Sequence, residues 1–183
     1  MQATTPDLTA LPFDDVADFE DARRGFLGRL DPCIVRDANG RVVWDNESYR
    51  FLDGSAPQTA HPSLWRQSML SAIDGLFEVV PGIYQVRGLD LSNITFVEGA
   101  TGVVLIDPLI STETAEASLS LYREHRGDRP VLAVIYTHSH VDHFGGVKGV
   151  TPQADVEAGR CAVVAPAGFM EHAVAENVYG GTA

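Results

Sequence analysis

The sequence predicts an α/β protein, a layered sandwich of sheet and helices, and two features of its second half indicate this. Short runs rich in β-branched and aromatic residues come first, separated by turns that contain glycine. These predicted strands are Leu76–Val80, Ile83–Arg87, Ile94–Glu98 and Val103–Ile106. Helical and strand-like segments then alternate along the chain. A meander of strands followed by alternating strands and helices is typical of layered α/β folds.

The alternating part begins with a predicted helix at Ser111–His125, for which Ser111 or Thr112 is the expected N-cap. The uninterrupted apolar run Val131–Tyr136 predicts a buried strand, because strands with one solvated face alternate apolar and polar residues. Two further segments, a short strand and a short helix, complete the alternation: Cys161–Ala165 and Gly168–Asn177.

The chain is predicted to have two parts, an amino-terminal extension at residues 1–75 and a sandwich domain at residues 76–183. Residues 1–12 are polar and are expected to be irregular. From Phe13 to Leu30, aromatic and aliphatic residues recur at helical spacing, with acidic residues early and arginines late. This order of charges suits the helix dipole, so the segment predicts a helix.

A β-hairpin is predicted next in the extension. The runs Cys33–Arg36 and Arg41–Trp44 flank the pair Asn39-Gly40, and Asn-Gly between two β-prone runs is the strongest short hairpin signal. The polar segment Asp53–Pro62 is expected to be a loop, and Leu64–Ile73 a short helix.

The 183-residue chain is acidic, with a formal net charge of −12 from 25 acidic and 13 basic side chains. Such a charge repels nucleic acid and anionic membrane surfaces, so neither is an expected partner. It also disfavours an anionic substrate at long range. An enzyme acting on an anion would therefore need a local cationic centre, which bound metal can supply.

The cysteines and the first residues bear on the expected compartment. Cys33 and Cys161 are far apart and have no metal-type partner nearby, so no disulfide framework is predicted. The first residues lack a basic segment followed by a long apolar core, and no stretch has the apolar length of a membrane span. We therefore expect a cytoplasmic protein without stable membrane association.

A cluster of metal-ligating residue types follows the predicted buried strand. Three of the six histidines and one aspartate lie between His138 and His143, at the expected edge of a sheet. His138 and His140 are two residues apart and point to the same side of extended backbone, so they can bind one ion together. Asp142 and His143 follow as the chain turns and face a second position. Gly145-Gly146 then permits a tight turn.

Imidazole and carboxylate ligands are those that zinc prefers, and they also suit manganese or iron. Two ions about 3.5–4 Å apart can lower the pKa of a bridging water and bind a leaving oxygen. The alternative is a solvated histidine-rich turn without metal. The pattern His-x-His-x-Asp-His favours the metal site, because so many ligand-type side chains rarely gather at this spacing otherwise.

The cluster from His138 to His143 resembles the His-x-His-x-Asp-His signature of the metallo-β-lactamase superfamily, and the segment Ile135–Val147 resembles its alkyl sulfatase branch. Other stretches resemble the same branch: Phe19–Gly25, Pro62–Gln67, Gly82–Gly88, Leu91–Asn93 and Phe169–Val178. The likeness covers nearly the whole chain from Pro12 onward. The signature is specific for the superfamily, and the flanking stretches narrow it to the branch.

The resemblance implies a metallo-β-lactamase-like αββα sandwich with two zinc ions, of which this chain holds the amino-terminal half. It implies His138 and His140 as ligands of the first ion, and Asp142 and His143 as ligands of the second. Asp142 is also the residue expected to act in catalysis. Asp107 matches the aspartate at a strand end of the superfamily, with an implied role in supporting the histidine loop through hydrogen bonds. The alternative for Asp107 is a simple turn residue.

The implied activity is hydrolysis of alkyl sulfate esters, such as dodecyl sulfate, to alcohol and inorganic sulfate by a zinc-activated water. The complete protein is expected to be a homodimer. One alternative is another hydrolase of the same superfamily, acting on thioesters, lactones or phosphoesters. A second alternative, of a different class, is a metal-binding module without catalytic activity.

The sequence departs from the family pattern because the further ligands, two glutamates and a histidine, do not occur in it. Nor do the helical dimerisation region and the lipid-carrier-like domain. We therefore interpret the chain as a fragment. Four ligands shared between two ions leave each ion under-coordinated, and half a sandwich leaves sheet uncovered. This chain alone is expected to have weak or no activity.

Several remaining residues are expected to have structural roles. Trp44 and Trp65, together with Phe77 and Tyr84, are predicted to pack in the core rather than to form a substrate slot. His172 is predicted on a solvated helix face beside Glu171 and Glu176. Asn93 lies between strands, where it can face the site or serve a turn.

Overall fold

A single mixed sheet and a separate hairpin are the frame of the computed structural model, which describes residues 12–181. Apart from Pro12, the segment predicted to be irregular lies outside these residues. The strands are β1 (Phe26–Gly28), β2 (Ile34–Arg36), β3 (Val42–Asp45), β4 (Gly75–Val80), β5 (Ile83–Arg87), β6 (Ile94–Glu98), β7 (Val103–Ile106), β8 (Val131–Ile135) and β9 (Ala162–Val164). The helices are α1 (Ala17–Arg23), α2 (Pro62–Ser71), α3 (Thr112–Arg126), α4 (Gln153–Glu157) and α5 (Phe169–Val174). The predicted α/β class is confirmed.

Shorter helical turns complete the secondary structure. Three are 3₁₀ turns, at Glu47–Asp53, Val141–His143 and Val147–Gly149. A π turn at Ala175–Tyr179 continues α5. Within residues 12–181, none of the helices has the length and apolar character needed to cross a bilayer.

The seven-stranded sheet has the order β1-β4-β5-β6-β7-β8-β9. Neighbours from β1 to β7 pair antiparallel, whereas β7, β8 and β9 run parallel. Parallel neighbours need a crossover, which α3 provides between β7 and β8. The carboxyl ends of β7 and β8 therefore meet at one edge of the sheet, and the loops that follow them lie side by side.

The core lies between the sheet and α3. Alternate residues of β5 to β7 face the helix, as the period of two in a strand requires. The rings of Phe96 and Tyr122 stack with centroids 4.4 Å apart. The Ser111 hydroxyl accepts a hydrogen bond from the Thr114 amide at 3.1 Å, which confirms Ser111 as the N-cap of α3.

The parallel edge of the sheet is the least covered part of the fold. The prediction that Val131–Tyr136 is a buried strand is wrong in part, because β8 forms there but only Val134 of the strand is buried. All three residues of β9 are exposed. A strand with apolar residues on both faces needs a cover on each face. In the described residues only the face of β8 that carries Val134 is covered, as expected for half of a sandwich.

The predicted helix from Phe13 to Leu30 is too long. The helix α1 ends at Arg23, and β1 then pairs antiparallel with β4. Gly25 makes the transition with φ +72°, and a Cβ at Gly25 would lie 2.0 Å from the Glu78 carbonyl oxygen. The close approach to β4 and the pairing that follows override the helical periodicity.

The extension thus contributes a strand to the main sheet, while the division of the chain at residue 75 stays a prediction. The other elements predicted for the extension are confirmed. The hairpin of β2 and β3 forms around Gly40, which has φ +81°, and α2 forms at the predicted short helix. The Trp44 indole nitrogen donates to the Gly88 carbonyl oxygen at 2.8 Å and ties the hairpin to the loop after β5.

Candidate metal centre

The loop that follows β8 carries the histidine cluster and packs tightly against the loop that follows β7. The Gly146 amide donates to the Leu109 carbonyl oxygen at 2.8 Å. A Cβ at Gly146 would lie 2.2 Å from the Pro108 carbonyl oxygen, and one at Gly145 would lie 2.3 Å from that of Ile110. The two glycines are therefore needed for close approach of the two loops, which fixes the position of the histidines.

Asp107 connects the two loops. One of its carboxylate oxygens accepts from the Thr137 amide at 2.8 Å. The other lies 2.7 Å from the Thr137 hydroxyl and 2.9 Å from His143 Nδ1. Asp107 is buried and has φ +56°, a left-handed conformation that is uncommon for a residue other than glycine. Such backbone strain is found where the surrounding structure holds a functional side chain in place.

Hydrogen bonding assigns the tautomer of His138. Its Nδ1 lies 2.9 Å from the Thr137 hydroxyl oxygen. That hydroxyl has one proton, and it donates the proton to the Asp107 carboxylate, which can only accept. His138 Nδ1 must then carry a proton and donate it to Thr137. The lone pair of His138 is therefore on Nε2.

The other two histidines of the cluster are held in a similar way. His143 Nδ1 donates to Asp107, which leaves the lone pair on Nε2. His140 Nε2 lies 3.1 Å from a carboxylate oxygen of Glu176, and this negative charge favours the tautomer with the proton on Nε2 and the lone pair on Nδ1. Each imidazole thus has one nitrogen beside a polar partner and one nitrogen available, an arrangement that suits metal-ligating histidines.

The structure brings the predicted site residues together. The ring of His138 has its centroid 4.5 Å from that of His140 and 4.2 Å from that of His143. Asp142 Oδ2 lies 3.4 Å from His143 Nε2. Potential ligand atoms of Asp107, His138 and His143 lie within 4.8 Å of one another. His138 is thus near both neighbours, and the predicted division of the four ligands between two ions stays a prediction.

This set of donors fits a divalent metal ion. It consists of imidazole nitrogens with available lone pairs and of carboxylate oxygens, all at one end of the parallel strands. Zinc prefers such ligands, and manganese and iron accept them. Histidines bind a metal ion only as neutral imidazoles. Three neutral rings can lie this close together around one or two cations without repelling one another.

Sequence reasoning missed two residues that hold the cluster. Glu176 is exposed, as predicted for its helix face, but from the π turn after α5 its carboxylate lies 3.1 Å from His140 Nε2. The Ser92 hydroxyl donates to the backbone carbonyl of Asp142, whereas its neighbour Asn93 is exposed. Neither contact has a local signal in the sequence, because each joins segments that are distant along the chain.

The loop that contains Ser92 is itself anchored by Asp90. This buried carboxylate accepts from the Thr114 hydroxyl, from the Leu91 amide at 2.6 Å and from the Ile110 amide at 3.3 Å. Burial raises the pKa of the Asp90 carboxyl, and the charge of Asp142 raises it further. The loop after β5 is therefore fixed to the start of α3 and to the metal-centre loop at the same time.

Comparison with known proteins gives a consistent result. Residues 87–182 match the metallo-beta-lactamase superfamily. The chain is 57% identical over 178 residues to a linear primary-alkylsulfatase of a Pseudomonas species, a match that covers 96% of this chain and 26% of that protein. It is 53% identical over 174 residues to the alkyl/aryl-sulfatase BDS1 of Saccharomyces cerevisiae, covering 94% of this chain and 27% of the relative.

Among solved structures, the stereoselective inverting sec-alkylsulfatase Pisa1 of a Pseudomonas species matches with a TM-score of 0.89 and 53% identity. The match covers 95% of this chain and 27% of that one. The chain therefore spans about a quarter of the length of these relatives. The predicted resemblance to alkyl sulfatases and the predicted metallo-β-lactamase-like fold are both confirmed.

Proposed function

The chain belongs to the metallo-beta-lactamase superfamily, and on that premise we propose that the complete protein hydrolyses alkyl sulfate esters at a two-zinc centre. One observation carries the proposal. His138, His140 and His143 are gathered at one sheet edge, and each has one ring nitrogen beside an oxygen of Thr137, Glu176 or Asp107 and the other available. Relatives named alkylsulfatases, at 53–57% identity, indicate the kind of ester.

The proposed ligands are the four predicted ones, His138, His140, Asp142 and His143. Bound zinc would supply Lewis acidity and a water of lowered pKa. The residues of this chain orient the ligands. Asp107 accepts the Nδ1 proton of His143 and positions Thr137, and Ser92 holds the backbone of Asp142. Hydrogen bonds of this kind typically change metal affinity by 10–100-fold.

The charge of the chain gives the metal a second role. A net charge of −12 repels an alkyl sulfate at long range. The ions would provide the local positive charge at which the sulfate group can bind. The proposal includes both primary and secondary esters, because relatives named for each match at 57% and 54% identity. The homodimer and the cytoplasmic location stay predictions.

A direct test measures zinc content and release of inorganic sulfate from dodecyl sulfate, for the complete protein and for this chain. We expect the complete protein to bind two zinc ions and to release sulfate, and this chain to be weak or inactive. The substitution His140→Ala should lower zinc content and abolish sulfate release. The matched control His172→Ala removes an exposed histidine on α5 outside the ligand set and should change neither quantity. Full zinc loading and activity in His140→Ala would refute the ligand assignment.

A further inference from the structure

An apolar cavity of about 530 Å³ lies between the amino-terminal extension and the loop after β5. This volume is within the range of about 300–1,000 Å³ that is usual for small-molecule sites. Its lining is mostly apolar, with Trp44, Phe51, Leu64, Trp65 and Leu91 among the contributing side chains. The two tryptophans were predicted to be core residues, but both are half-buried and line this cavity.

The cavity and the candidate metal centre share a wall, the segment from Gly88 to Ser92. Leu91 is 71% exposed and lines the cavity. On either side of Leu91 the chain is anchored, by the Asp90 carboxylate to the start of α3 and by the Ser92 hydroxyl to the backbone of Asp142. A residue of the cavity lining, Leu91, is therefore directly followed by the residue that contacts a proposed metal ligand.

The rim of the cavity exposes several large apolar side chains. Leu64 is 64% exposed and Phe51 is 60% exposed, in addition to Leu91. Contiguous apolar surface of this kind marks a binding site on a soluble protein. Contacts join the elements around the cavity. The Trp44 indole donates to the Gly88 carbonyl oxygen, and the rings of Phe51 and Trp65 pack with centroids 5.9 Å apart.

We propose that this cavity binds the alkyl group of the substrate while its sulfate ester lies at the metal centre. The inference rests on the proposed function, and it assigns the extension a role in selecting substrates by chain length. An apolar cavity that adjoins a cationic centre matches the two ends of an alkyl sulfate, a hydrocarbon chain and an anion. A second copy of the chain, or a further segment of the complete protein, would be the competing occupants.

The chain offers a direct readout of this binding. Its two tryptophans, Trp44 and Trp65, both line the cavity, so intrinsic fluorescence reports cavity occupancy. The probes are hexane-, octane- and decane-1-sulfonate, which have no hydrolysable ester, at concentrations below micelle formation and with zinc removed. We expect a saturable fluorescence change, with affinity rising about threefold to fourfold for each added methylene. Methanesulfonate should produce no change.

Matched variants locate the binding. Leu64→Gln and Leu91→Gln alter exposed cavity residues and should weaken decane-1-sulfonate binding about tenfold. Met170→Gln alters a residue of similar exposure, 69%, on α5 outside this cavity and should have no effect. Equal affinity in all three variants, or a response independent of probe length, would overturn the proposal. A fluorescence change that depends on protein concentration without probe would indicate a second copy as the occupant and would also overturn it.

A kinetic experiment on the complete protein separates this inference from the proposed function. If the cavity binds the alkyl group, Leu91→Gln should lower the ratio of kcat/KM for decyl sulfate to kcat/KM for butyl sulfate about tenfold. Hydrolysis of both esters without a difference between variant and parent would overturn the cavity assignment alone, and would indicate that another segment fills the cavity. If the complete protein hydrolyses no alkyl sulfate, the proposed function is overturned. If the alkanesulfonates do not bind this chain, the assignment of the cavity to the alkyl group is overturned, whatever the kinetic result.

Discussion

The carboxylate of Asp107 lies 2.9 Å from Nδ1 of His143, although 36 positions separate the two residues. Asp107 follows β7 and His143 follows β8, and the two strands are parallel neighbours. The contact therefore exists because a crossover through α3 brings the two loops to the same edge of the sheet. It determines which nitrogen of His143 can bind a metal ion.

Replacing Asp107 by asparagine should lower zinc affinity about 10–100-fold. Asparagine tolerates the left-handed conformation of this position and can still accept from the Thr137 amide, so the change removes the charged acceptor that His143 and the Thr137 hydroxyl share. Competition with a chromophoric zinc chelator measures the affinity. Asp128→Asn is the control, because the Asp128 side chain is 83% exposed and Asp128 precedes β8, whereas the cluster follows it. Equal affinity in Asp107→Asn and Asp128→Asn would contradict the assigned role.

Removing the Glu176 carboxylate should change the tautomer of His140. In Glu176→Ala, His140 Nε2 loses the neighbouring carboxylate, so we expect a larger Nδ1-H population and roughly tenfold weaker zinc binding. Nitrogen-15 NMR of the imidazoles reports the tautomer without depending on activity. Glu176→Gln removes the charge but keeps an oxygen near His140, and should give a tautomer population between those of the parent and Glu176→Ala. Glu171→Ala, at an exposed position of α5, is the control and should leave the His140 signals in place.

Substituting Gly146 by alanine should destabilise the fold by about 1–3 kcal/mol, because its methyl group would overlap the Pro108 and Ser111 carbonyl oxygens. The backbone at Gly146 has φ −83°, which any residue adopts, so the cost is steric. Gly40→Ala provides the contrast, since that position has φ +81° and open space around it. It should cost about 1 kcal/mol from backbone strain alone. Urea unfolding measures both, and a smaller loss for Gly146→Ala than for Gly40→Ala would contradict the close approach of the loops.

The ion pair of Glu98 should contribute stability that depends on pH. The hydrogen bond from Arg126 holds the pKa of the Glu98 carboxyl below its ordinary value of 4.5. Because the pKa is lower in the folded state, the contribution is present above about pH 4.5 and is lost as the pH falls through the folded-state pKa. Glu98→Gln should therefore destabilise the chain at pH 7, and the difference from the parent should shrink below pH 4.5.

Urea unfolding at a series of pH values measures this difference. Glu116→Gln, at an exposed position of α3, is the control and should give an unfolding free energy close to that of the parent at every pH. A destabilisation by Glu98→Gln that stays constant from pH 7 to the acid limit would indicate a packing effect and contradict the electrostatic explanation.

Features encoded in short segments were predictable from the sequence alone. The hairpin around Asn39-Gly40 and the helix capped by Ser111 depend on backbone preferences of a few adjacent residues, and both formed at the predicted positions. The cluster from His138 to His143 was predicted as a possible metal centre because ligands close in sequence after a strand are also close in space. Asp107 was assigned its support role only through the family resemblance.

Tertiary structure decided the features that join distant segments. The strand β1 replaced the end of a predicted helix because β4 offered pairing partners that no local pattern encodes. Glu176 reached His140, and Ser92 reached Asp142, across 36 and 50 positions respectively, where the relative placement of elements determines the contact. The cavity lined by Trp44 and Trp65 has the same origin. Local propensity sets which elements form, whereas packing sets which of their side chains meet, because contacts between distant segments form only once the sheet and helices are assembled.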